Sequence, residues 1–217
     1  MGNKRIPLEP EKYYHIYDHS CGSENLFRNQ DNYFYFLKKY IEYLSPVFET
    51  FAYCLMPNHF HFLIKVKSEE SLALYFKSSG SKIFNKENNI YDAVIHQVGS
   101  FLNAYTKAYN KAFNRRGSLF VQSFKRKHID DDIYFTKLIH YIHRNPVHHN
   151  FVNNLSDWKY SSFHSIISDK ETYLEQQQVI EWSGGIKEYL EFHNKEILYP
   201  KGFQNKDILY PKGFKNP

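Results

Sequence analysis

Two places in this sequence set residues capable of phosphate chemistry at a fixed spacing. His59 and His61 stand two apart in the β-prone run HFHFLIKV. Alternate side chains of a strand share a face, so the two imidazoles point the same way, roughly 6.6 Å apart along the backbone. Such a pair on a rigid strand can hold one divalent ion and leave coordination positions open for a phosphate oxygen. Phe60, Phe62 and Ile64 then point oppositely, into the core. Taken alone, the pair reads most simply as two surface histidines on an alternating strand. The second place is LIHYIHRNPV, residues 138–147, where Tyr141 and Asn145 are four apart and so neighbours on a helix face. A tyrosine can attack a phosphodiester and become covalently linked, and an amide oxygen is a hard ligand suited to Mg²⁺ or Mn²⁺. With 19 tyrosines in the chain, position has to single one out. His140, His143, His148 and His149 flank Tyr141 and read as solvent-exposed histidines around a helix end.

The elements that must position these residues can be traced from the pattern. Residues 13–18 (YYHIYD) are β-prone, and 20–30 are loop-like. The run DNYFYFLKKYIEYL repeats apolar residues at three-to-four spacing and stops at Ser45 and Pro46, which predicts a helix. Two β-rich runs, 47–56 and 59–66, flank Pro57 and Asn58 as a hairpin. Residues 71–89 read as irregular with a short helix at 72–76, and a longer helix is expected over 93–114, with Gly117 after it. A strand is expected over 119–128, then a helix capped by Asp130, Asp131 and Asp132 and ended at Asn145, because Pro146 disfavours helical geometry in the residue before it. Short helices are expected at 161–167 and 188–194. The order β-α-β-β-α-β-α predicts an α+β fold: a ferredoxin-like antiparallel sheet with helices packed on one face, plus a C-terminal helical extension.

Composition narrows the function class. The 217 residues suffice for one domain with a core and an appendage. The catalytic domain is expected over 1–170 and an extension over 171–217, where KEILYPKGFQN and KDILYPKGFKN form a near-perfect repeat of period 11. Two copies are too few for a solenoid, so the repeat reads as a duplication or docking tail. Two cysteines, Cys21 and Cys54, do not form a metal-ligand spacing or a disulfide framework. No secretion signal or membrane-length apolar run is evident, and Ile6 breaks a myristoylation pattern, so a soluble cytoplasmic protein is expected. Net charge is +5. From Ala93 to Ile129 there is no acidic residue, while Lys107, Lys111, Arg115, Arg116, Lys125, Arg126 and Lys127 all fall there. Tyr105, Tyr109, Phe113, Phe120 and Phe124 are interleaved with them, as expected where phosphates are neutralised and bases stacked.

The segments LMPNHFHFLI at 55–64, GSLFVQSFK from Gly117, YIHRNPV from Tyr141 and DWKYSSF from Asp157 occur in this order. Together they resemble the HUH single-tyrosine transposases, in particular the REP-associated branch, over roughly residues 13–163. The resemblance implies that His59, His61 and Asn145 bind Mg²⁺ or Mn²⁺. It implies that Tyr141 attacks a DNA phosphate, leaving a 5′-phosphotyrosyl link and a free 3′-OH, with Tyr105 the second choice of nucleophile. The partner implied is single-stranded DNA with hairpin structure, contacted by the seven basic residues. The interval between His61 and Tyr141 is long for that family, with an insertion expected at 68–89. Relatives place the tyrosine helix in cis or in trans, which leaves room for a homodimer. Two other readings of the same residues are a nucleic-acid-binding protein without chemistry and a metal-dependent phosphodiesterase that uses water.

Overall fold

In the computed structural model, residues 6–80, 89–121, 124–197 and 199 are described. Strand β1 (Tyr13–His19) leads to helix α1 (Gln30–Leu44), and the hairpin β2 (Phe48–Met56) and β3 (His59–Val66) follows. Next come α2 (Glu69–Ser78), α3 (Ile90–Ala112), β4 (Lys125–Ile129) and α4 (Asp132–His148). The chain closes with α5 (Phe163–Ile166), α6 (Gln176–Ser183) and α7 (Ile186–Asn194). The four strands form one antiparallel sheet in the order β2-β3-β1-β4, the strand arrangement expected of a ferredoxin-like α+β domain.

Side-chain donors and acceptors decide where the helices start. The side chain of Asn29 accepts from Asn32 N at the head of α1, Ser68 from Ser71 N at α2, Asn89 from Tyr91 N at α3 and Asp131 from Tyr134 N at α4, each satisfying an otherwise orphaned helical N–H. Three expectations change. The Ser68 cap sustains α2 for 10 residues, longer than the short helix read from 72–76. The strand expected over 119–128 is confined among the described residues to Lys125–Ile129, because Leu119 and Phe120 are both buried instead of alternating, and Phe120 makes only an isolated bridge to Ser20. Helix α4 does not stop at Asn145. It runs through Pro146 to His148, and His149 N still donates to Asn145 O. A proline this close to the end removes one N–H donor, and the helix terminates within the same turn.

Helix placement is the larger correction. Helices α1 and α3 pack together on the face carrying Phe60, Phe62 and Ile64, in a core that includes Phe36, Tyr40, Phe101 and Tyr105. The opposite face is covered as well. Leu63, Phe51 and Cys54 pack there with Phe135, Leu138 and Ile142 of α4 and with Phe163, Val179 and Tyr189 of the C-terminal helices. Every residue of β3 except Lys65 is accordingly buried, as in a strand covered on both sides. The DWKYSSF segment closes the edge of β2: Leu55 N donates to Tyr160 O, Ser162 N to Tyr53 O, and the Trp158 indole to Leu55 O. This covers backbone groups that an open edge would leave to another chain.

Candidate metal and tyrosine site

Alternation along β3 turns His59 and His61 away from the aromatic core and towards α4. Neither is a surface residue, because both are fully buried. Their rings lie 5.1 Å apart, centroid to centroid. Helix α4 lays Tyr141 and Asn145 over them on consecutive turns. The Tyr141 ring stands edge-on to His61 at 5.8 Å, and Asn145 Oδ1 lies 3.1 Å from His59 Nε2. Tyr141 is 6 % exposed and Asn145 fully buried. A histidine pair and a tyrosine far apart in sequence thus meet within one chain.

Each imidazole is held from behind. His59 Nδ1 meets Asn58 Oδ1 at 2.9 Å, and His61 Nδ1 meets His15 Nε2 at 2.9 Å. Burial pushes His59 down to about 3 and His61 well below the usual histidine range, the latter with His15 and His59 adding, so both stay neutral. A neutral imidazole carries one N–H, yet His59 faces an amide oxygen at each nitrogen in the observed amide orientations. One of those contacts is lone pair against lone pair. The separation of 3.1 Å suits two neighbouring ligands of one cation, since bonds of about 2.1 Å at right angles put ligand atoms about 3 Å apart. His61 Nε2 is buried and has no hydrogen-bond partner among the described residues. Among those residues no group of three or more His, Cys, Asp or Glu could hold a metal. The donors gathered here are instead two neutral imidazoles and an amide oxygen, a set that fits a divalent ion with open positions.

Burial pushes the Tyr141 phenol up to about 12, against the Asn145 hydrogen bond, which lowers it. Tyr105, the alternative nucleophile, is excluded by position: it lies in the core on the other side of the sheet and its hydroxyl donates to Leu26 O at 2.5 Å. Tyr109, Phe120 and Phe124 are buried too, so these aromatics pack the core instead of stacking bases, with Phe113 packed against them half-buried.

The basic stretch divides. On β4, Lys127 and Lys125 pair with His15 and Tyr17 of β1 and so share the face of the histidines, whereas Arg126 pairs with Ile16, donates to Ile6 O and lies over Phe124. Lys107 and Lys111 are exposed on α3, and Arg116 is exposed in the turn after it. Arg115 is committed to structure, donating to Glu24 Oε1, Asn110 Oδ1, Gly117 O and Ser118 O.

The histidines around Tyr141 are not all at the surface. His143 is buried between His193 Nε2 at 2.9 Å and Ser162 Oγ at 2.7 Å, and His140 is buried with the Tyr199 hydroxyl at 2.7 Å and Lys195 O at 3.0 Å. They dock α7 and the start of the first repeat copy onto α4. The second copy lies outside the described residues. His149 sits beside His59, ring to ring at 5.5 Å. His15, Tyr17 and Asn58 were not singled out from the sequence. The YYHIYD run alternates His15 and Tyr17 on one face as HFH does, and that period was the available signal.

No family model matches the chain. A putative REP-associated tyrosine transposase of Haemophilus influenzae is 29 % identical over 121 residues, which is 54 % of this chain and 60 % of that protein's length. The solved structure of a REP-associated tyrosine transposase bound to a REP hairpin superposes with a TM-score of 0.54 at 17 % identity, covering 78 % of this chain and 87 % of that one. The sequence relative bears the name of the family that the motifs resemble. The structural likeness carries the fold, and the sequence relative is spanned only in part.

Proposed function

We propose that this protein is a metal-dependent DNA strand-transferase of the REP-associated tyrosine transposase type, acting on single-stranded, hairpin-associated DNA. The observation that carries the reading is the meeting of Tyr141 and Asn145 with His59 and His61, with Asn145 Oδ1 3.1 Å from His59 Nε2. The hairpin enters by analogy with the solved relative, whose structure holds a REP hairpin.

His59, His61 and Asn145 would hold Mg²⁺ or Mn²⁺. When bound, the ion supplies positive charge that polarises the scissile phosphate and offsets the charge of a buried phenolate. Tyr141 Oη attacks phosphorus and forms the phosphotyrosyl bond as the bond to the 3′ oxygen breaks, and the phenolic proton ends on the departing 3′-OH. The bond energy is conserved in the ester, so rejoining needs no nucleotide cofactor. Asn145 sits one turn beyond Tyr141 on α4 and meets His59 with its Oδ1, which sets the phenol relative to the histidines. Lys125 and Lys127 lie on the same face and suit the incoming backbone, with Lys107, Lys111, Arg116 and Arg126 as outer phosphate contacts.

The test is incubation of the wild type and Tyr141→Phe with labelled hairpin-bearing single-stranded DNA and Mn²⁺, resolved on a denaturing gel. A protein-linked band that needs Mn²⁺ and falls by at least about a thousand-fold in Tyr141→Phe is expected. Cleavage that survives Tyr141→Phe without a linked band would establish a water-using phosphodiesterase, and binding without cleavage a DNA-binding module.

A further inference from the structure

His61 is oriented by another histidine. His15 lies on β1, diagonal to His61 across the β1–β3 ladder, which pairs Tyr17 with His61 and His15 with Leu63. The two rings are stacked at 5.1 Å and 25°, and His15 Nε2 lies 2.9 Å from His61 Nδ1. His15 is itself 5 % exposed. It is wedged between the Tyr17 ring at 4.7 Å and the edge of Tyr141 at 6.5 Å. Its place is therefore set by strand register and ring packing, not by a flexible side chain.

The proton between the two histidines decides what His61 can do. If His61 Nδ1–H donates to His15 Nε2, the other nitrogen of His61 carries a lone pair. If His15 Nε2–H donates instead, His61 Nε2 carries the hydrogen and cannot be a ligand. His61 Nε2 is buried without a hydrogen-bond partner among the described residues, so a hydrogen placed there would be unsatisfied, whereas a lone pair there is available to a cation. Asn58 does the corresponding work for His59, with its Oδ1 2.9 Å from Nδ1. One ligand is thus backed by an amide and the other by an imidazole, as ligating histidines are ordinarily backed by an acceptor at the remote nitrogen.

We propose that His15 is a positioning residue: it accepts the Nδ1 proton of His61, fixes the ring and its tautomer, and presents Nε2 to the metal. The proposal rests on the metal reading of the site. It is tested on the full chain without DNA by titrating Mn²⁺ and following the free-ion signal by electron paramagnetic resonance, alongside thermal melting, in wild type, His59→Ala, His15→Leu and His15→Gln. Leu fills the site without an acceptor, and Gln restores one.

The expected result is Mn²⁺ binding by wild type, loss in His59→Ala, a weakening of about 10- to 100-fold in His15→Leu and recovery to within roughly threefold of wild type in His15→Gln. Equal binding by His15→Leu and wild type, with His59→Ala inactive, overturns the role of His15 and leaves the metal site standing. Equal weakening in Leu and Gln, tracking a lowered melting temperature, overturns it in favour of simple packing. Wild type that binds no better than His59→Ala overturns the metal reading and the role of His15 together.

Discussion

The two faces of the central sheet are built from the same strands and do opposite things. On one, Phe60, Phe62 and Ile64 of β3 meet α1 and α3 in an aromatic core, with Tyr40 stacked on Phe62 at 4.2 Å and Phe36 edge-on to Phe101 at 4.8 Å. On the other, His59 and His61 of the same strand lie under α4 among His15, Tyr141 and Asn145, and two polar atoms, His61 Nε2 and Asn145 Nδ2, are buried without a hydrogen-bond partner among the described residues. The first face stabilises the fold by removing apolar area from water. The second gives up stability to keep neutral imidazoles and an amide buried. Successive residues on one strand serve these two ends because the pleat turns them apart by a half-turn each.

Acid should separate the faces most. Burial holds His15, His59 and His140 down to about 3 and His193 to about 4. Each is neutral when folded and binds a proton near 6.5 when unfolded. The unfolded chain therefore binds more protons between those values, and stability is full above about pH 6.5 and lost as pH falls, by up to about 1.4 kcal/mol per unit for each such group. Several together should unfold the protein before pH 4, seen as loss of near-ultraviolet circular dichroism. A fold unchanged at pH 4 would show that these histidines are open to water.

The aromatic face gives the next largest effect. Phe60→Ala should cost about 3–5 kcal/mol in urea unfolding through the cavity it leaves, with no pH dependence of its own. A cost under about 1 kcal/mol would mean that this face is loosely packed.

The basic surface should respond to salt instead. With four of Lys107, Lys111, Arg116, Lys125, Arg126 and Lys127 on phosphates, the log-log salt slope for single-strand binding should be near −2.8, at about −0.7 per phosphate. A slope near zero removes these contacts from the proposal. Arg115→Ala should lower the melting temperature and leave the slope unchanged, because its guanidinium is held by Glu24.

The smallest change sharpens the comparison. His61→Leu alone strands His15 Nε2 and should cost about 1–3 kcal/mol, whereas His15→Leu with His61→Leu removes both partners and should melt within about 1 kcal/mol of wild type. If the double variant is the worse of the two, the histidine face contributes to folding and the contrast between the faces fails.

Much of this was legible along the chain. The alternation in HFHFLIKV assigned Phe60, Phe62 and Ile64 to one side and the histidines to the other, and the three-to-four spacing after Asp31 marked α1. Tyr141 and Asn145 were paired by their spacing on a helix. What misled was proximity to a polar context: His140 and His143 read as surface residues, and Tyr105 and Tyr109 stayed open between stacking and core, because burial against α7 or α1 is set by elements distant in sequence. Pro146 looked like a stop because the preference of the residue before a proline outweighs, on paper, the one hydrogen bond at stake near a helix end.

The sequence by itself determined which residues share a face, where helices begin and that basic and aromatic residues cluster, since these follow from local periodicity, capping and composition. Only the tertiary structure decided that α4 crosses the sheet on the side away from α1 and α3 and sets Tyr141 beside the chain's own histidines. It also decided that β1 supplies His15 to His61, and that Lys125 and Lys127 share the face of the histidines while Arg126 turns to the other. Those are consequences of strand order and helix docking, which depend on contacts between residues far apart in the chain and carry no local signature.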